Sequence, residues 1–118
     1  MTERRNTVRM KTPARVTVKG FEKEKTSLKD ISVTGCCVVC SPNTQIDLKT
    51  QYSLKISPES SAEIGAFNVT AESRWIKTSA NSFEIGFMLL ESPQGEQFLR
   101  YVDYLSWRYS HGHSIAGD

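Results

Sequence analysis

Histidine is almost absent from this chain. The two present, His111 and His113, sit together in a polar, glycine-containing end. With both histidines in the tail, no Ser/His/Asp set and no HExxH metal helix is present, and neither a P-loop nor a glycine-rich nucleotide turn is found. Carboxylates exist, but spacing sets none apart as an acid and base pair. The expectation is a protein that is not an enzyme and carries no cofactor. Long apolar runs are missing too: none approaches the roughly 20 residues that a membrane span needs. The basic N-terminus has no apolar stretch behind it, so no signal peptide is visible and a cytoplasmic location is expected. Nor is there a large excess of one charge. A net +2 is too small to argue for nucleic acid by itself, and DNA is not expected as a partner.

Cysteine is scarce and clustered. Cys36, Cys37 and Cys40 are the three in the chain. Cys37-x-x-Cys40 has a redox or zinc spacing, but its segment, Gly35 to Cys40, is small, apolar and strand-compatible. On a strand, positions 37 and 40 point to opposite faces, so they neither share a metal nor form an unstrained disulfide. A zinc site also needs four ligands, and no second pair exists. These are expected to be buried strand cysteines in a reducing compartment.

The chain that remains reads as one mainly β domain. With 118 residues, 24% charged and 38% apolar, it is long enough for one modest core. Alternation predicts strands at Ala14 to Val18, Thr26 to Ser32, Gly35 to Cys40, Gln51 to Ile56, Ala66 to Lys77 and Phe83 to Leu90. In the fourth, Tyr52, Leu54 and Ile56 share a face. In the fifth, Phe67, Val69, Ala71, Ser73 and Trp75 do. Short strands separated by turns suggest a closed or nearly closed antiparallel barrel. After Ser92-Pro93, an N-cap followed by proline, Phe98, Val102, Leu105 and Tyr109 form a helical stripe that Leu99 and Tyr101 widen. The organisation is thus a basic arm over 1–12, a barrel over 13–92, a helix over 93–110 and a tail over 111–118. The helix either closes a barrel end or docks a partner.

Two motifs carry the chemistry. From Glu3 to Lys19 there are six basic residues (Arg4, Arg5, Arg9, Lys11, Arg15, Lys19) against one acidic. That local excess suits a compact anion, though a membrane surface or RNA also fits it. Within it, Arg5-Asn6-Thr7-Val8-Arg9 is an RxxxR preceded by Arg4. Arginine presents a planar fork of donors that matches phosphate oxygens and the O6/N7 edge of guanine. Further on, Asp30-Ile31-Ser32-Val33-Thr34-Gly35 is a DxSxxG. Asp30 and Ser32, two apart on a strand, share a face. A carboxylate there accepts from guanine N1–H and N2–H2 together, which guanine alone among the bases offers. Gly35 allows a tight turn and close approach of a ligand. Asp30 and Ser32 equally suit capping of backbone N–H groups at the turn.

This pair of motifs, in this order, resembles the PilZ domain, the bacterial receptor module for cyclic di-GMP. Val69 to Trp75 followed by Phe83-Glu84-Ile85-Gly86-Phe87 is similar to that family's closing hairpin, although the family's ending places its phenylalanine differently and here Met88 follows Phe87. The resemblance spans about residues 4 to 92. It implies a stand-alone, six-stranded antiparallel β-barrel of the PilZ type with a C-terminal helix. It further implies cyclic di-GMP as the ligand, held by Arg4, Arg5, Arg9, Asp30, Ser32 and Gly35, with Val33, Thr34, Arg74 and Trp75 as further contacts. Hydrolysis of that nucleotide would need a metal cluster that the chain lacks. In the family, the residue before the first motif arginine bears on whether one nucleotide or an intercalated pair is bound, so Arg4 points to a pair. The arm would order over the nucleotide, and an unidentified protein, of motility or exopolysaccharide machinery in the family's usual pattern, would read the result. The competing class is a small β-barrel interaction or RNA-binding module whose arm contacts phosphates without base preference.

Overall fold

A computed structural model describes residues 8–42 and 44–110. Arg4, Arg5 and the tail 111–118, with His111 and His113, lie outside the described residues. The elements run β1 (Met10–Lys11), β2 (Arg15–Val18), β3 (Thr26–Ser32), β4 (Gly35–Cys40), β5 (Gln51–Ser57), β6 (Phe67–Thr78), β7 (Phe83–Leu89) and α1 (Gly95–Ser110). The strands form one antiparallel sheet in the order β1-β3-β4-β7-β6-β5-β2. Its inner face is the alternation read from the sequence: Val16 and Val18, Cys36, Val38 and Cys40, Leu54 and Ile56, and Phe67, Val69 and Ala71 are all buried in one core. Tyr52 packs against that core and makes an edge-to-face contact with Phe87.

The sheet curls into a half-barrel because its two end strands are neighbours in sequence. Residues 12–14 alone separate β1 from β2, so the sheet bends until both ends meet near β3. There the Thr26 hydroxyl donates to the carbonyl of Val16 at 2.6 Å. Register shifts between Leu28 and Asp30 in β3, and between Ser73 and Trp75 in β6, supply the local bending. Seven strands are present where the alternation predicts six. The additional one, β1, lies inside the segment that reads as a free arm, and pairs Met10 with Ile31 and Lys11 with Asp30. Met10 is only 5% exposed and joins the core. Two residues are too few for a periodicity, so the sequence carries no sign of this strand.

Helix α1 closes the open end of the half-barrel. Phe98, Tyr101, Val102 and Leu105 are buried, and Phe98 meets Phe67 edge to face at 6.4 Å. The helix starts at Gly95, later than the Ser92-Pro93 pair suggests. Ser92 is not its cap: the hydroxyl accepts from the Thr70 N–H at 2.9 Å and donates to the Leu90 carbonyl at 2.7 Å, tying the chain to β6 instead. Of the residues that widen the stripe, Tyr101 is buried and Leu99 faces outward. The last member, Tyr109, is half exposed and reaches β1.

All three cysteines are free and buried. Cys36 and Cys40 belong to the core, whereas Cys37 lies on the other side of β4, as an odd spacing demands. Burial, chiefly, pushes the Cys36 thiol up from 9.0 to about 12 and those of Cys37 and Cys40 to about 11. The thiolate is the reactive form, so iodoacetamide at pH 8 should label the native chain at least about a hundredfold more slowly than the urea-unfolded chain. Equal rates would show that β4 opens freely. The sign for stability follows from the same shifts. Unfolded thiols ionise near pH 9.0 while folded ones hold their protons to about 11 or above, so this contribution is complete below pH 9 and is lost as pH rises towards 11.

Candidate functional site

The β3–β4 hairpin carries the DxSxxG motif. Asp30 stands opposite Lys11 on one side and Cys37 on the other. Arg9, just before β1, brings its Nε within 3.4 Å of Asp30 Oδ1, with the two side chains 39% and 19% exposed. The distance is that of an ion pair, but the angle is not that of a hydrogen bond: Asp30 Oδ1 is buried and without a hydrogen-bond partner. A buried, unsatisfied carboxylate oxygen is costly and marks a place where a donor is wanted.

Ser32 has a different role from Asp30. It is fully buried. Its oxygen accepts from the Thr34 N–H at 3.3 Å and shares a hydrogen bond with the Thr34 hydroxyl at 3.1 Å. It therefore braces the turn, a role compatible with contact to a ligand. Val33 and Thr34 are exposed at the tip. Gly35 is required for a reason other than turn flexibility. Among the described glycines only Gly20 has a positive φ, at 94°. A Cβ on Gly35 would instead fall 2.0 Å from the carbonyl oxygen of Phe87, so the absent side chain is what lets β4 and β7 pair this closely.

The wall beside the hairpin comes from β6 and β7. Strict alternation puts Trp75 on the core face with Ser73. The bulge at Arg74 reverses the alternation there: Ser73 is buried, Trp75 is 42% exposed, and Ile76 packs on the core in its place. Trp75 lies flat on the outer face over Gly86, where a Cβ would come within 2.2 Å of the indole. Gly86 thus belongs to the wall, although the motifs do not mark it. Its signal in the sequence is a glycine in a strand beside a tryptophan-bearing strand. Arg74 Nη1 lies 3.1 Å from Met88 Sδ and 3.7 Å from Glu72 Oε1.

Arg9, Thr34, Gly35, Arg74, Trp75 and Met88 share one open cleft of about 300 Å³. Two guanidinium groups and an indole face surround it, and the ion-paired Asp30 sits behind Arg9. Such a set suits an anionic ligand with a planar ring: the cations meet negative charge, the indole stacks, and the carboxylate reads N–H donors. Val33 is not in this cleft; it lines a second cavity, of about 630 Å³, between β1 and α1, which Arg9 also borders.

A helix-capped antiparallel half-barrel with a cationic and aromatic cleft beside one hairpin defines the class of this small domain. Its family follows directly: the PilZ domain family model matches residues 3–104, and the chain belongs to that family. Solved structures agree on the fold. The PilZ domain with c-di-GMP of YcgR from Escherichia coli superposes with a TM-score of 0.70 at 15% identity, covering 93% of this chain and 97% of that one. The Bacillus subtilis inhibitor of motility (MotI/DgrA) superposes with a TM-score of 0.72 at 23% identity. That match covers 92% of this chain and 52% of the other, so this chain spans about half its length. No curated protein matches the chain.

Proposed function

We propose that this PilZ domain is a reversible receptor for cyclic di-GMP and passes the signal to another protein. The observation that carries the reading is the Asp30 carboxylate, whose buried Oδ1 has no hydrogen bond and stands 3.4 Å from Arg9 beside a cleft walled by Trp75 and Arg74. Guanine offers that oxygen the N–H donors it lacks. Arg5 and Arg9 grip phosphate and the guanine edge. The Trp75 face stacks on a base, and Arg74 adds charge at the cleft wall. Ser32 and Gly35 act at one remove, by holding the hairpin that presents Asp30 and Thr34.

The arm carrying Arg4, Arg5 and Arg9 closes over the nucleotide against Asp30 and Ser32 through charge-assisted contacts. The rearranged surface is then what a downstream protein reads. Motility machinery is one candidate, because the similar MotI/DgrA is described as an inhibitor of motility; exopolysaccharide machinery is the other. The bound form is an intercalated pair, with the Arg4 guanidinium completing the stack. No helix among the described residues is long and apolar enough to cross a membrane.

Calorimetry with cyclic di-GMP and cyclic di-AMP tests the proposal. The guanine nucleotide should bind tighter, at a ratio near two per chain, falling near one in Arg4→Leu. Asp30→Ala should reduce guanine binding while barely changing weak adenine binding. Equal losses for both nucleotides would reduce Asp30 to a turn residue, and a ratio of one in the unmutated chain would make Arg4 a bystander. Steep salt-dependent binding without base preference would favour the RNA-binding class instead.

A further inference from the structure

The short strand β1 is held from two sides. On the sheet side it pairs with β3, and Arg9 just before it meets Asp30. On the other side it is held by tyrosines of α1. The Lys11 N–H donates to the Tyr109 hydroxyl at 2.9 Å, and that hydroxyl lies 3.5 Å from the Lys11 carbonyl. Both backbone groups of Lys11 lie on the strand edge that no neighbouring strand uses, so one side chain of the helix occupies that edge.

One residue further along, the Thr12 hydroxyl bonds the Tyr101 hydroxyl in the core, and Tyr101 donates to Glu59 Oε1 at 2.6 Å. Since Tyr101 has one proton and spends it on the carboxylate, Thr12 is the donor to Tyr101, while its oxygen accepts from the Ala14 N–H at 3.0 Å. Burial, chiefly, raises the Tyr101 pKa and keeps the phenol in this donating form. Two consecutive residues, Lys11 and Thr12, are thereby anchored to α1 two and three places after Arg9.

We infer that Tyr109 is a positioning residue for the nucleotide site, with Tyr101 as its fixed support: α1 sets where β1 lies, and β1 sets where the Arg9 guanidinium lies against Asp30. The linkage is reciprocal. A nucleotide that draws Arg9 into the cleft pulls on Lys11 and thus on the last turns of α1, so the helix is the element in which occupancy is felt. Tyr101 is fully buried and bonded to both Thr12 and Glu59, whereas Tyr109 is half exposed and bonds through one hydroxyl. The coupling therefore runs through the exposed latch. The inference rests on the reading of Arg9 as a nucleotide-binding group.

The test uses the full chain, as wild type, Tyr109→Phe, and Leu99→Ala as a control on the exposed face of the same helix. Without nucleotide, Tyr109→Phe should raise hydrogen exchange at the Lys11 amide by about tenfold, as loss of one hydrogen bond requires. It should also shift the Arg9 Nε–Hε resonance, with exchange in β4 to β7 unchanged; Leu99→Ala should do neither. With cyclic di-GMP, wild type should gain protection over residues 104–110 and Tyr109→Phe should not. An unmoved Arg9 resonance with unchanged Lys11 exchange would overturn the inference, and so would faster exchange across the whole sheet, which would make Tyr109 merely structural. A wild type that takes no cyclic di-GMP would sink the receptor reading instead, while the two nucleotide-free readouts still decide whether Tyr109 positions Arg9.

Discussion

Replacing Arg9 by alanine should lower the affinity for cyclic di-GMP by at least about tenfold. Charge-assisted hydrogen bonds contribute roughly 1.5–3 kcal/mol each, and an arginine fork makes more than one. Arg9 borders the cleft and pairs with Asp30, so its removal takes away the proposed phosphate and guanine donor and also opens the carboxylate proposed to read the base to solvent. The fold should survive: the Arg9 side chain is outside the core, and β1 keeps Met10 in the core and Lys11 on Tyr109. Melting temperature and circular dichroism should therefore change little while calorimetric affinity falls. Arg5→Ala should behave alike. Unaltered affinity in either variant would remove the central claim about the RxxxR motif.

Gly35→Ala should have the largest effect on stability. The added Cβ would sit 2.0 Å from the Phe87 carbonyl oxygen and 3.0 Å from its carbonyl carbon, both backbone atoms at the hairpin end of the β4–β7 pairing. No rotamer change relieves a backbone clash, so the two strands must separate, breaking the ladder that joins Cys36 to Phe87 and Cys37 to Gly86. Overpacking of this kind costs about 3 kcal/mol or more. For a domain of this size that lowers the melting temperature by roughly 10 °C or more. Any loss of nucleotide binding should track the unfolded fraction. A variant that melts like wild type but no longer binds would mean that Gly35 faces the ligand and not β7.

Gly86 differs from Gly35 in kind. Its missing Cβ faces the Trp75 side chain, which is half exposed and able to rotate. The same distance argument therefore predicts a displaced indole there, and a separated sheet at Gly35.

The six longer strands were legible from apolar residues at alternate positions or, at Gly35 to Cys40, from a continuous small apolar run that is buried along nearly its whole length. The helix was legible through Phe98, Val102 and Leu105. Its start was not, because Ser92 has a hydroxyl suited to capping and the sequence does not show that Thr70 and Leu90 claim it first. Strand β1 was illegible because Met10 acquires its burial from the whole curled sheet, not from its neighbours. Strict alternation puts Trp75 on the core face, but a period of two holds only until a bulge, and the bulge at Arg74 is set by the pairing with β7.

The same division holds in the site. The order and spacing of RxxxR and DxSxxG were determined by the sequence alone, as was the presence of donor-rich arginines ahead of a carboxylate suited to accept N–H groups. These are properties of residue types and short spacings. Only the tertiary structure decided that Arg9 stands against Asp30 across β1 and β3, that Ser32 bonds Thr34 in its own turn, and that Trp75 lies open over Gly86. It alone brought Tyr109, distant in sequence, onto the backbone of Lys11. The physical reason is that side-chain chemistry is local, whereas burial, unsatisfied polar atoms and shared clefts arise only once the sheet has curled and the helix has closed its end.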